Sequence, residues 1–107
     1  METTIRPGSD IATQINIFVV EPENQQKLVE LLADGTKGFF SKQPGWISTN
    51  VLSSTDRRRV LIYSQWRSAK DIEAFRQNPS MGPYVQGIAA IAKFEAFLCD
   101  VAYVQHA

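Results

Sequence analysis

Val60-Leu61-Ile62-Tyr63-Ser64-Gln65-Trp66, followed almost at once by Ser68-Ala69-Lys70-Asp71, is the stretch whose reading decides the fold of this chain. A run of β-branched, aromatic and apolar residues without glycine or proline suits a pleated strand. Ser68 with Asp71 three positions later suits the first turn of a helix, where each side chain can meet an orphan backbone donor. A strand therefore hands the chain directly to a helix. Alternation along the strand puts Val60, Ile62, Ser64 and Trp66 on one face and Leu61, Tyr63 and Gln65 on the other.

Upstream of this stretch, Ser54-Thr55-Asp56-Arg57 carries turn chemistry, so the strand before it, Trp46 to Ser54, forms an antiparallel hairpin with it. In that partner strand Trp46, Ser48, Asn50 and Leu52 alternate with Ile47, Thr49, Val51 and Ser53. Arg57-Arg58-Arg59 at the turn reads as a solvated loop, since it lacks the interleaved aromatics of a nucleic-acid site. Gln43-Pro44-Gly45 stops a helix that begins at Glu21-Pro22-Glu23 and runs to about Ser41. Its apolar stripe is Leu28, Leu31, Leu32, Gly35 and Phe39, with Val29 and Phe40 widening it. Gly35 and Gly38 weaken the helix, and either kink it or let a strand or ligand approach its backbone. Earlier still, Ile15, Ile17 and Val19 alternate with Gln14, Asn16, Phe18 and Val20, a strand buried on both faces. Asn16 is its polar exception and needs hydrogen-bond partners from backbone, water or a ligand. Residues 1–12 read as a tail or short arm, and 13–107 as a single domain.

Downstream, Ile72 and Phe75 point inward from the helix that starts near Ser68, and Asn78-Pro79 breaks it. Met81, Tyr84, Val85, Ile88 and Ala92 keep helical spacing in a following piece. Phe94 to Val104 is expected to be a long last strand, with Asp100 at an edge or a subunit contact. The order strand, helix, strand, strand, helix, strand is the split βαβ, ferredoxin-like arrangement of an α+β protein. Its helices cover one face of an antiparallel sheet. The other face is too apolar to leave in water, so a homodimer packed sheet to sheet is expected.

Composition narrows the function. Eleven basic and eleven acidic residues in 107 give zero formal charge, which offers no field for nucleic acid or an acidic membrane. No apolar run approaches the roughly 20 residues needed to span a bilayer. Cys99 is the single cysteine and is read as an inert buried thiol; with no secretory leader in view, a cytoplasmic location is expected. His106 is the only histidine, at a terminus where nothing holds it as a ligand. No metal cluster, phosphate loop or Ser-His-Asp set is present, so hydrolase, kinase and metalloenzyme readings lack support.

Pro22-Glu23 before the first helix, Pro44-Gly45-Trp46 before the second strand, and Tyr63-Ser64-Gln65-Trp66 before a capped helix ending at Asn78-Pro79 occur in the order of a known family. Over about residues 13–104 the chain resembles the antibiotic biosynthesis monooxygenase family. That resemblance implies a dimeric α+β barrel with a pocket in each subunit, between sheet and helices. It also implies oxidation of small aromatics such as anthrones, quinols or polyketides with molecular oxygen, without metal or flavin; a neighbouring branch degrades haem. The anthrone-oxidising branch's tryptophan matches Trp66. Its asparagine falls on Ile62, its helix tyrosine on Ile72 and its arginine near Val85, so only the tryptophan carries over. Asn16 matches an asparagine of the haem-degrading branch, whose iron-binding histidine would fall near Val85 and is missing.

The sequence therefore nominates Trp66 and Asn16 as catalytic, in a substrate pocket formed by Ile62, Ser64, Ile72, Phe75, Tyr84 and Val85. Oxygenation without a cofactor requires an electron-rich substrate anion held away from water against fixed donors. Asn16, Trp66, Ser64 and Tyr84 supply donors, and none is a convincing general base. The expected function is a cofactor-independent monooxygenase using O2 as co-substrate. The alternative is a non-catalytic dimeric barrel that binds a small apolar ligand or serves as an interaction module.

Overall fold

A computed structural model describes residues 2–8 and 10–107. Four strands, β1 (Ala12–Val20), β2 (Trp46–Ser53), β3 (Arg59–Trp66) and β4 (Ala92–Cys99), form one antiparallel sheet in the order β2-β3-β1-β4. Helices α1 (Gln25–Gly38), α2 (Ala69–Arg76) and α3 (Met81–Ala89) complete the α+β, ferredoxin-like arrangement.

The register explains where the core sits. Asn16 lies opposite Ile62 and Ala96, and Phe18 opposite Val60 and Phe94, so these residues share the inner face. From the helices, Leu28, Leu32 and Ile88 descend onto Phe18, Val20, Val60 and Ile62 as one contiguous buried cluster. The β3–α2 junction is locally fixed. Ser68 Oγ accepts from the Asp71 backbone N–H at 3.2 Å and donates to the Asp71 carboxylate at 2.9 Å. Arg67 N–H donates to Gly45 C=O at 2.8 Å, tying this corner to the turn before β2. Gly45 has φ +85°, and a Cβ there would collide with the Asp71 carboxyl, so glycine is required on both counts.

Four expectations need correction. The first helix is interrupted: Phe39 leaves helical geometry (φ −138°), and a 3₁₀ turn follows at Phe40–Lys42. The space over Gly35 is filled by side-chain rings rather than by a strand: a Cβ there would come within 2.9 Å of Phe40 and 3.3 Å of Tyr84. A register shift between Trp46 and Ser48 moves Trp46 off the Ser48 face, placing it opposite Trp66 with its indole N–H on Thr49 Oγ1 at 2.8 Å. Finally, β4 runs Ala92–Cys99 rather than Phe94 to Val104. Thr13 opposite Cys99 is the last pair in the ladder, so residues 100–104, Asp100 included, pair with no strand among the described residues.

The outer face is only partly covered. The N-terminal segment lies across one end of it, where Gln65 Nε2 donates to Thr4 C=O at 2.7 Å and Thr3 Oγ1 to Asn50 Oδ1 at 2.8 Å. Away from that arm Val19, Leu52 and Phe97 remain 55%, 52% and 42% exposed.

Candidate active site

Between the inner face and the helices lies a cavity of about 320 Å³, within the usual range for small-molecule sites. Its floor is sheet: Gln14, Asn16, Ile62, Ser64, Trp66 and Ala96. Its roof comes from the helices and the 3₁₀ turn, through Leu32, Phe40, Phe75, Met81, Val85 and Ile88. Strand alternation delivers every second residue of β1 and β3 to the floor, which is why the polar and apolar members of each strand meet there.

Trp66 is 2% exposed, packed on Phe75 with ring centroids 4.9 Å apart. Its indole N–H donates to Ser64 Oγ at 3.2 Å, and the Ser64 hydroxyl donates to Gln14 C=O at 3.4 Å. The indole and the serine are thus satisfied within the protein and hold each other in place. Asn16 and Gln14 differ. Among the described residues neither side-chain amide makes a hydrogen bond, and both border the cavity. A polar amide facing an otherwise apolar space is a donor and acceptor ready for a ligand.

Of the residues nominated from sequence, Asn16, Trp66, Ile62, Ser64, Phe75 and Val85 come together around this cavity. Ile72 and Tyr84 do not line it. Ile72 is buried on the sheet side of α2 at 1% exposure. Tyr84 stacks on Phe39 at 5.4 Å and 9° and meets Phe40 edge-on at 5.4 Å, so its ring belongs to an aromatic cluster behind the cavity wall. Three polar lining residues were missed, Gln14, Thr49 and Arg76; Thr49 reaches the cavity through the β2 register that sets it opposite Ser64. Gln14 was legible, since it alternates with Asn16 on the same strand face. Arg76 was legible too, because it lies four residues after Ile72 on the inward stripe of α2. It is the only charged side chain among the lining residues, and its nearest partner is Glu73 at 3.8 Å.

The profile of the antibiotic biosynthesis monooxygenase family matches residues 11–87. The chain belongs to this family. It is 31% identical over 100 residues to the tetracenomycin-F1 monooxygenase of Streptomyces glaucescens, covering 94% of this chain and 89% of that protein. Among solved structures it resembles an anthrone oxidase-like protein at 25% identity and TM-score 0.83, over 90% of this chain and 41% of that one. A variant of SnoaB, described as a cofactor-independent oxygenase from Streptomyces nogalater, shares the fold at 21% identity and TM-score 0.80, over 90% of this chain and 97% of that one.

Among the described residues no group of three or more His, Cys, Asp or Glu side chains could hold a metal ion, and no helix is long and apolar enough to cross a membrane.

Proposed function

We propose that this family member is a cofactor-independent monooxygenase that converts a ring methylene of a small fused aromatic into a carbonyl with O2. The observation that carries the reading is the cavity itself: apolar walls, the Trp66–Phe75 aromatic pair, and the Asn16 amide at its floor with no hydrogen bond among the described residues. The tetracenomycin-F1 monooxygenase and the anthrone oxidase-like protein support the substrate class.

The chemistry is closed without an external reductant. A methylene flanked by a carbonyl-bearing ring system loses a proton to give a conjugated oxyanion. That anion transfers electrons to O2 and forms a peroxide at the same carbon. Cleavage of the O–O bond releases water and leaves a carbonyl, so CH2 plus O2 gives C=O plus H2O, and all four electrons come from the substrate carbon. In this scheme Asn16 donates to the developing oxyanion, Trp66 and Phe75 hold the ring plane, and the apolar walls keep water from the peroxide. Ile62 carries no donor, which leaves the Asn16 and Gln14 amides as the free donors of the floor. Among the described residues no His, Asp, Glu, Lys, Tyr or Cys lines the cavity, so the scheme takes the anion from the substrate's own acidity.

Members are expected to work as homodimers through the outer sheet face, and the free Cys99 thiol suits a reducing cytoplasm. Metal-free protein supplied with a panel of anthrones and quinols is expected to consume oxygen, and Trp66→Phe to slow it. A flat oxygen trace across the panel, with Trp66→Phe indistinguishable from wild type, favours a ligand-binding barrel without turnover.

A further inference from the structure

We propose that Arg76 is the specificity-determining cation of this cavity: it receives an ionised phenol or enol oxygen at the edge of a fused aromatic ligand, so that the ligand binds as its anion. The inference rests on the proposed oxygenase reading and adds to it the charge state of the substrate and the residue that selects it.

Arg76 is the last residue of α2, and its side chain borders the cavity beside Phe75, Met81 and Val85. The lining residues contributed by the other elements, Gln14, Asn16, Thr49 and Ser64 among them, are polar or apolar but uncharged. Among the described residues Arg76 is therefore the one charged residue that lines the cavity. On its own helix it faces Glu73, but that pair is 3.8 Å apart with side chains 49% and 59% exposed. Such a pair is loose and solvent-screened, and contributes little that would hold Arg76 away from a ligand. No hydrogen bond from Arg76 is formed among the described residues, which leaves its fork of N–H groups available to a planar oxyanion.

The cavity needs such a group. An apolar enclosure disfavours an anion unless a charge or donor compensates it. Asn16 can donate at the floor, while Arg76 at the rim supplies the charge. Its positive charge favours the deprotonated ligand.

Alizarin, whose hydroxyl ionises with a visible colour change, and its dimethyl ether, which cannot ionise, make the test pair. Bound to wild-type protein, alizarin is expected to ionise about one pH unit lower than in free solution, a roughly tenfold preference for the anion. Arg76→Gln is expected to abolish that shift, and Arg76→Lys to retain part of it. The dimethyl ether should bind wild type and Arg76→Gln within about twofold, which reports an intact cavity. An unshifted alizarin on wild type, or an equal shift on wild type and Arg76→Gln, overturns the assignment. Oxygen uptake is read separately: a preserved Arg76-dependent shift with no oxygen consumption would sink the oxygenase reading and leave the anion site standing.

Discussion

Asn16 and Ser64 face the same cavity in opposite hydrogen-bonding states, and their substitutions should separate accordingly. Ser64 Oγ accepts the Trp66 indole N–H and its hydroxyl donates to Gln14 C=O, so Ser64→Ala leaves a buried indole donor without its partner. That change is expected to lower unfolding free energy by about 1–3 kcal/mol in a denaturant titration. Asn16 gives up no hydrogen bond among the described residues, so Asn16→Ala should leave stability within about 0.5 kcal/mol of wild type. If the amide stabilises an oxyanion, the same variant should lose about 10²-fold in oxidation rate. Loss of stability from Asn16→Ala with unchanged turnover would mark it as an ordinary core amide. At this scale the sequence was partly legible. Strand alternation puts Ile62, Ser64 and Trp66 on one face of β3, and the pairing of Asn16 with Ile62 brings Asn16 to the same surface. Tyr84 was misplaced for a physical reason: helical spacing says that it points inward, but Gly35 opens a slot under α1 that draws its ring to Phe39 and Phe40 instead of the cavity.

Two turns carry the elements on either side of the site. At the first, Gly45 combines φ +85° with a close approach to the Asp71 carboxyl. Gly45→Ala is expected to cost about 2 kcal/mol or more and to loosen the entry to α2, read as a lowered denaturation midpoint. At the second, the β2–β3 turn, Ser54 Oγ donates to Asp56 Oδ1 at 2.7 Å and the Arg58 N–H donates to the same oxygen at 3.0 Å. These bonds, the serine's first, with smaller help from the Arg59 and Arg58 charges, hold the Asp56 carboxyl below the ordinary carboxylate range. Because its folded value is the lower one, the stabilisation is fully present above the ordinary range and is lost as pH falls through the lowered value. A proton-detected titration should find Asp56 with a depressed midpoint, and Ser54→Ala should move that midpoint upward. The basic run beside it, Arg57 to Arg59, is exposed, as a solvated loop should be. Element order and strand pairing were readable because hydrophobic period and turn chemistry are local. The bulge at Ile47 and the end of β4 were not, since both depend on the register of a neighbouring strand.

For the molecule as a whole, the asymmetry of the sheet is the dominant fact. Helices bury the inner face, while the outer face keeps Val19, Leu52 and Phe97 exposed beyond the N-terminal arm. Exposed apolar side chains on one sheet face are expected to be buried against a second copy. Sedimentation at micromolar concentration should give a dimer, and the double variant Leu52→Lys with Phe97→Lys should sediment as a folded monomer. A wild-type monomer across that range would remove the sheet-to-sheet assembly from the account. The central claim is the oxygen chemistry, and isotopically labelled dioxygen tests it most directly. Metal-free protein turning over an anthrone under labelled O2 should place one labelled oxygen in the new carbonyl of the product, with the other in water. A product carbonyl free of label, or no enzyme-dependent product at all, would contradict it.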